Sequence, residues 1–195
     1  MNVSSAAKKV NRDVRNQARG LMQTLGRVGG RKGTRVRNQG GESKENPITD
    51  RWTVCGKGHI HWGAHGAAGL LLRYRPNQGD PSYLLQQRSK WVDFGQTWGI
   101  PGGAIREGET PEAAARREAQ EELGALPTFR VTGIEVQDCG GGWQFHIVTA
   151  DVERPFDAYC VRETDATGWF TYEEMYRLSL HPGFRKWLDE QETCP

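Results

Sequence analysis

A glycine-rich loop that runs straight into an acidic helix constrains this chain more than any other feature. The segment reads Gly103-Ala-Ile-Arg-Glu-Gly-Glu109-Thr-Pro-Glu-Ala-Ala-Ala-Arg-Arg117-Glu118-Ala-Gln-Glu121-Glu122-Leu-Gly124. Its helix is well punctuated. Thr110 suits the N-cap, Pro111 the first turn and Glu112 the positive end of the dipole, while Gly124 can take the left-handed conformation that ends a helix. Residues three and four apart on a helix are neighbours, so Glu118, Glu121 and Glu122 converge while Ala114, Ala115 and Ala119 offer small faces for packing. Each like-charged pair costs roughly 0.2–0.5 kcal/mol in an isolated helix, and a bound divalent cation is the simplest compensation. Arg117, next to Glu118 and four residues before Glu121, is placed to fix a carboxylate through a forked hydrogen bond. On the helix alone, a solvated, salt-bridged surface accounts equally for the charges.

The full spacing separates these readings. It resembles the Nudix box, with every fixed position present: Gly103, Glu109, Arg117, Glu118, Glu121, Glu122 and Gly124. Upstream, Trp98-Gly-Ile-Pro-Gly-Gly103 resembles the Trp-x-x-Pro-Gly-Gly lead-in common in that family. Ala119 and Ala125 stand where the family usually carries bulkier aliphatic residues, a departure that bears on packing rather than chemistry. The resemblance runs from Gly66 to Glu190, and its specific part from Trp98 to Gly124.

The resemblance implies an α/β fold, a Nudix-type α/β/α sandwich with a mixed central sheet, and metal-dependent hydrolysis of a diphosphate linkage in a nucleoside diphosphate joined to another moiety. It implies that Glu118, Glu121 and Glu122 face the metal, with the Gly103 carbonyl as a further ligand. Arg117 then orients a carboxylate, Glu109 anchors the loop to the helix, and Gly124 closes the box. Oxygen ligands suit Mg²⁺, and Mn²⁺ fits the same site. The general base is either Glu118 or an acid on a distant loop, for which Glu163 is the candidate and Asp165 the fallback. The proline and tyrosine that mark subfamilies acting on ADP-ribose and on dinucleoside polyphosphates are both missing; Cys139-Gly-Gly-Gly-Trp143 occupies that region. Trp98 and Trp143 are candidate aromatic platforms for a base, with Trp91 and Phe94 as others, and Arg88 is a candidate phosphate contact; core packing and ion pairing are the plainer fates of such residues. A nucleoside triphosphate is the expected substrate. The alternatives are a nucleotide sugar or pathway-specific nucleotide, or a regulator that senses nucleotides on this fold. Homodimers are common in the family.

Charge divides the chain. Residues 1–41 hold ten Lys or Arg against one acid, Asp13, so this part carries +9; the whole chain has 26 basic and 24 acidic residues, which leaves 16 and 23, or −7, for the rest. Residues 1–49 are accordingly read as a basic, flexible extension and 50–195 as the Nudix hydrolase domain, of a length that buries a real core. Helically spaced apolar residues from Val3 to Leu25 suggest a basic amphipathic stretch, weakened by Gly20, before a Gly- and Arg-rich run. A weak contact with nucleic acid or an anionic surface, an organelle-targeting segment, and a solvated extension all fit; the last, or a start codon placed too early, is favoured. No apolar run approaches the ~18 residues of a membrane span. Cys55, Cys139, Cys160 and Cys194 are scattered, as in a reducing compartment, and cytoplasmic residence is expected.

Trp52 to Gly66 contains Cys55, His59, His61 and His65. Cys and His are the usual zinc ligands, but a structural site draws its four from two separated knuckles and no second knuckle is evident; Cys139 and His146 look isolated. The zinc reading is therefore disfavoured, and His59-Ile-His-Trp62 is expected to be a short strand leading into the sheet. Further strands are expected at Gly66 to Tyr74, Tyr83 to Arg88, Phe129 to Val136, Trp143 to Val152 and Trp169-Phe170, with helices at Tyr172 to Leu178 and Pro182 to Glu190.

Overall fold

The computed structural model describes residues 51–161 and 163–192; the basic extension expected over residues 1–49 lies outside the described residues. In chain order the elements are β1 (Trp52–Val54), β2 (Ile60–Trp62), β3 (Ala67–Tyr74), β4 (Ser82–Arg88), β5 (Trp98–Gly99), β6 (Gly102–Ala104), α1 (Pro111–Leu123), β7 (Phe129–Asp138), β8 (Gln144–Val152), β9 (Thr164–Thr171), α2 (Tyr172–Met175) and α3 (Pro182–Glu192). A seven-stranded mixed sheet follows the order β5-β4-β3-β8-β7, with β6 also on β3 and β9 on β4. Strands β3 and β8 run parallel from Ala67 opposite Phe145 to Tyr74 opposite Val152, and the remaining pairs are antiparallel. The connection between these parallel neighbours contains α1, as a crossover requires.

Strand β3 lies at the centre, and its run Leu70-Leu71-Leu72 is buried on both faces. Leu70 and Leu72 pack with Ala68, Leu84, Val148, Ala150 and the alanines of α1. Leu71 points the other way, among Leu85, Ile147, Met175, Phe184, Trp187 and Leu188. Strand side chains alternate between faces, so one short sequence supplies two cores, and the helices on either side complete the expected α/β/α sandwich. Ala119 is fully buried in the core beneath α1, so the small residue at this box position packs there directly.

Four expectations are corrected. Strand β9 extends from Thr164, well before Trp169, because it pairs along β4 from Arg88 to Ser82; its polar residues gave no strand signal. The helix expected to Leu178 is one turn, opened by a Thr171–Glu174 capping box and followed by turns at Arg177 and Leu178. The strand expected at His59 to Trp62 forms as β2, but it pairs with β1 in a separate two-stranded ribbon rather than leading into the main sheet. The second knuckle missing from the sequence is supplied by the β7–β8 turn, where Cys139 meets Cys55, His59 and His61; His146 stays outside this group.

Candidate active site

Helix α1 is fixed at both ends as its sequence requires. Thr110 Oγ1 accepts a 3.2 Å hydrogen bond from the Ala113 amide, and Gly124 ends the helix at a φ of 76°. Arg117 then acts as a hub. Its Nε and Nη2 donate to the two oxygens of Glu109, each at 2.9 Å, Nη2 also donates to the Ala104 carbonyl at 2.8 Å, and Nη1 donates to Glu118 at 2.6 Å. The second Glu109 oxygen accepts the Arg106 amide at 3.0 Å. The fork thus grips Glu109, outside the helix, while Glu121 is a distant partner at 3.8 Å. Exposure explains this choice: Glu109 and Arg117 are mostly shielded from water, whereas the Glu121 side chain is 55% exposed and its pairing is screened. Hydrogen bonding from Arg117 holds the Glu109 carboxyl below the usual range and raises the guanidinium in turn.

The three helical carboxylates occupy different environments. Glu118 lies against the β6 backbone; a Cβ added to Gly103 would sit 2.5 Å from Glu118 Cδ, so only glycine admits this approach. Glu122 is 8% exposed. It accepts hydrogen bonds from Gln86 Nε2 at 2.6 Å and from the Gly102 amide at 3.1 Å. Burial pushes its pKa up to about 7 against the pull of those two donors, and the neighbouring Glu118 charge adds to the rise. Glu121 faces solvent, with Arg106 at 3.7 Å. All three offer oxygen donors, the type a hard divalent cation takes; among the described residues, the group whose ligand atoms lie close enough to share an ion is Cys55, His59, His61 and Cys139.

Gln86 extends the site. Its Oε1 accepts a 2.7 Å hydrogen bond from Thr164 Oγ1, so a buried Thr164–Gln86–Glu122 relay ties the loop of Glu163 to the helix. Glu163 itself is exposed, its carbonyl accepting from the Ser89 amide at 2.8 Å, and Asp165 accepts from Gln96 Nε2 at 2.7 Å. Arg88, at the end of β4, donates from Nε to the Asp93 carbonyl at 2.9 Å, and its charge opposes the rise at Glu122.

The two tryptophans proposed as platforms are engaged elsewhere. Trp98 meets Phe170 edge-on with centroids 5.0 Å apart and packs into the core shared with α3, on the sheet face opposite α1. Trp143 stacks on His61 with centroids 4.0 Å apart and donates from Nε1 to the Gly63 carbonyl at 2.9 Å. Trp91, by contrast, is 82% exposed on the loop that follows Arg88.

A family model for the NUDIX domain matches residues 63–191, which takes in the whole of this site. The chain belongs to the Nudix family. This Nudix pyrophosphohydrolase is 40% identical over 152 residues to a putative 8-oxo-dGTP diphosphatase 3 of Mycobacterium tuberculosis, covering 75% of this chain and 70% of that protein. Among solved structures it is similar to RenU, a Nudix hydrolase from M. smegmatis, with 37% identity and a TM-score of 0.65 over 75% of this chain and 97% of that one. A C. elegans Ap4A hydrolase shares the fold at 22% identity and a TM-score of 0.52, covering 65% of this chain and 95% of that one.

Sequence reasoning about the Nudix enzyme missed Gln86, Thr164 and the Gly102 amide. Their one signal was Gln86, the first polar residue after Leu84-Leu85 in the strand Ser82-Tyr-Leu-Leu-Gln-Gln-Arg88. Such a residue in a central strand needs a buried partner, but the sequence does not say which.

Proposed function

We propose that this Nudix hydrolase cleaves a diphosphate linkage in a nucleoside triphosphate, with Glu118, Glu121, Glu122 and the Gly103 carbonyl holding Mg²⁺ or Mn²⁺. The observation that carries this reading is the pairing of Glu118 against Gly103 with the buried Glu122 beside it. The donors are all oxygen, and a Cβ at Gly103 would overlap the Glu118 carboxylate. When bound, a divalent cation neutralises phosphate charge and activates the attacking water. The chain's own residues divide the remaining work. Arg117 and Glu109 lock the β6–α1 loop and set the orientation of Glu118. Gln86 and the Gly102 amide fix Glu122, and through Thr164 the same relay holds the loop that presents Glu163.

Water attacks phosphorus, its oxygen forms the new P–O bond as the bridging P–O bond breaks, and Glu163 takes the water proton. Glu118 is already engaged by Arg117, which favours Glu163 as the base over Glu118. We infer that Arg88, whose charge acts on Glu122, meets a phosphate and that the exposed Trp91, three residues further on, receives a base; stacking on an exposed ring gains roughly 1–3 kcal/mol with little base selectivity. Similarity to a putative 8-oxo-dGTP diphosphatase supports the triphosphate class, and removal of damaged nucleotides from the pool is the role we infer. The free thiols of Cys55, Cys139 and Cys160 accord with a reducing, cytoplasmic setting. Among the described residues, no helix is long and apolar enough to cross a membrane.

Purified protein with Mg²⁺, offered nucleoside triphosphates including 8-oxo-dGTP, nucleotide sugars, dinucleotides and ADP-ribose, tests the proposal. Triphosphates should turn over fastest, Glu122→Gln should lower kcat by about a hundredfold or more, and Glu163→Gln should lower kcat with KM little changed. Preferred turnover of a nucleotide sugar would overturn the substrate class. An undiminished Glu122→Gln enzyme would overturn the site.

A further inference from the structure

We propose that Cys55, His59, His61 and Cys139 form a structural zinc site that staples the β1–β2 ribbon to the β7–β8 turn. The four ligand atoms lie within 4.8 Å of one another. Cys139 Sγ is 3.1 Å from Cys55 Sγ, 3.2 Å from His59 Nδ1 and 3.0 Å from His61 Nε2. Tetrahedral zinc at ordinary bond lengths separates two sulfurs by about 3.8 Å and sulfur from nitrogen by about 3.5 Å, so the contacts of Cys139 reach that geometry by opening about 0.3–0.7 Å. Both cysteines are free. A disulfide would account for the two sulfurs and leave two imidazoles aimed at Cys139 without a reason. A binuclear iron–sulfur centre, with its ligand pairs on different irons, would hold the four atoms farther apart.

Two loops are shaped to bring the ligands together. Cys55 to His59 forms a tight knuckle, with hydrogen bonds from the Cys55 amide to the His59 carbonyl at 2.9 Å and from the Gly58 amide to the Cys55 carbonyl at 2.8 Å, and with Gly58 at a φ of 80°. The Gly56 amide donates to the Gly141 carbonyl at 3.2 Å, and a Cβ on Gly141 would overlap the Gly56 nitrogen. The stack of Trp143 on His61, with its indole bonded to the Gly63 carbonyl, sets the plane of that imidazole. Such outer contacts commonly orient metal-bound histidines.

Energetics give the cluster a purpose. The ribbon has two three-residue strands, and Trp52, Val54 and Ile60 are each more than half exposed. Two-stranded ribbons are marginal in water without a core, and a structural metal is one of the few substitutes. Both thiols would bind as thiolates, releasing their protons to solvent. Nitrogen and sulfur donors select zinc, whereas the box carboxylates suit Mg²⁺, so the two sites are chemically separate.

The test is metal analysis of untagged protein by mass spectrometry, with Cys139→Ser, His61→Ala and Glu122→Gln alongside, and cobalt substitution of the chelator-stripped wild type. We expect one zinc per chain in wild type and in Glu122→Gln, loss of at least tenfold in zinc content in the two ligand variants, and faster proteolytic cleavage within residues 51–62 of those variants. Cobalt should give tetrahedral d–d bands with thiolate charge transfer, a readout that stands if the variants fail to fold. Wild type without zinc and without those bands would overturn the proposal, as would a Cys55–Cys139 disulfide in thiol-blocked protein. Loss of zinc in Glu122→Gln would return the metal to the box.

Discussion

Helix α1 and the β1–β2 ribbon each carry side chains of the types that ligate metals, yet they are built on opposite principles. The box carboxylates sit on one capped helix, between Glu118 and Glu122, and their loop partner Gly103 is fifteen residues away from Glu118. The cysteine and histidine cluster joins residues 84 positions apart and rests on a ribbon with exposed side chains. In the first, packing of α1 on the sheet supplies the stability, so the carboxylates are free to be electrostatically unfavourable. In the second, we infer that the ligands themselves supply what the missing core does not.

Glu122 offers the largest way to sharpen this contrast. Its folded pKa of about 7 lies above the ordinary 4.5, so between those values the folded chain binds more protons than the unfolded one and stability falls as pH rises. Glu122→Gln should therefore be more stable than wild type at pH 8 in Mg²⁺-free buffer, by on the order of 3 kcal/mol, with the difference vanishing near pH 4.5. Thermal unfolding across that range reads it directly; equal pH slopes would mean the carboxylate is solvated. Next, Glu109→Ala leaves Arg117 partly buried without its fork and should cost about 2–3 kcal/mol in denaturant unfolding. The native pairing is complete above the unfolded carboxyl value and is lost as pH falls, because Glu109 titrates below that value. The smallest effects compare two glycines. Gly103→Ala would press on the movable end of the Glu118 side chain at roughly 1 kcal/mol, whereas Gly141→Ala would meet the Gly56 backbone, which gives way less cheaply, at about 2 kcal/mol. The first should depress hydrolysis and keep zinc, while the second should do the reverse. Identical losses in both assays would break the separation.

Legibility followed the length of chain over which each signal was written. Thr110, Pro111 and Gly124 delimit α1 because capping is local chemistry. Strands β3, β4, β7 and β8 announce themselves through apolar runs, but β9 does not, because its polar start is strand only by pairing with β4. Arg117 illustrates the same limit within the box. Helical spacing nominates Glu121 as its partner, and the structure gives the fork to Glu109, eight residues earlier and better shielded from water. Trp98 and Trp143 are candidate platforms in the sequence, beside the plainer fate of packing, because a sequence lists aromatic rings without saying which are already packed.

By itself the sequence determined the family, the helix that carries the carboxylates and the donors a hard cation needs, all of which depend on neighbours within a few turns. Tertiary structure alone decided that Gln86 and Thr164 reach Glu122, that Cys139 meets Cys55, and that Trp91 rather than Trp98 remains open to solvent. The reason is physical. Helix geometry fixes contacts three and four residues apart, whereas contacts between strands and turns depend on register and burial, which exist only once the sheet has assembled.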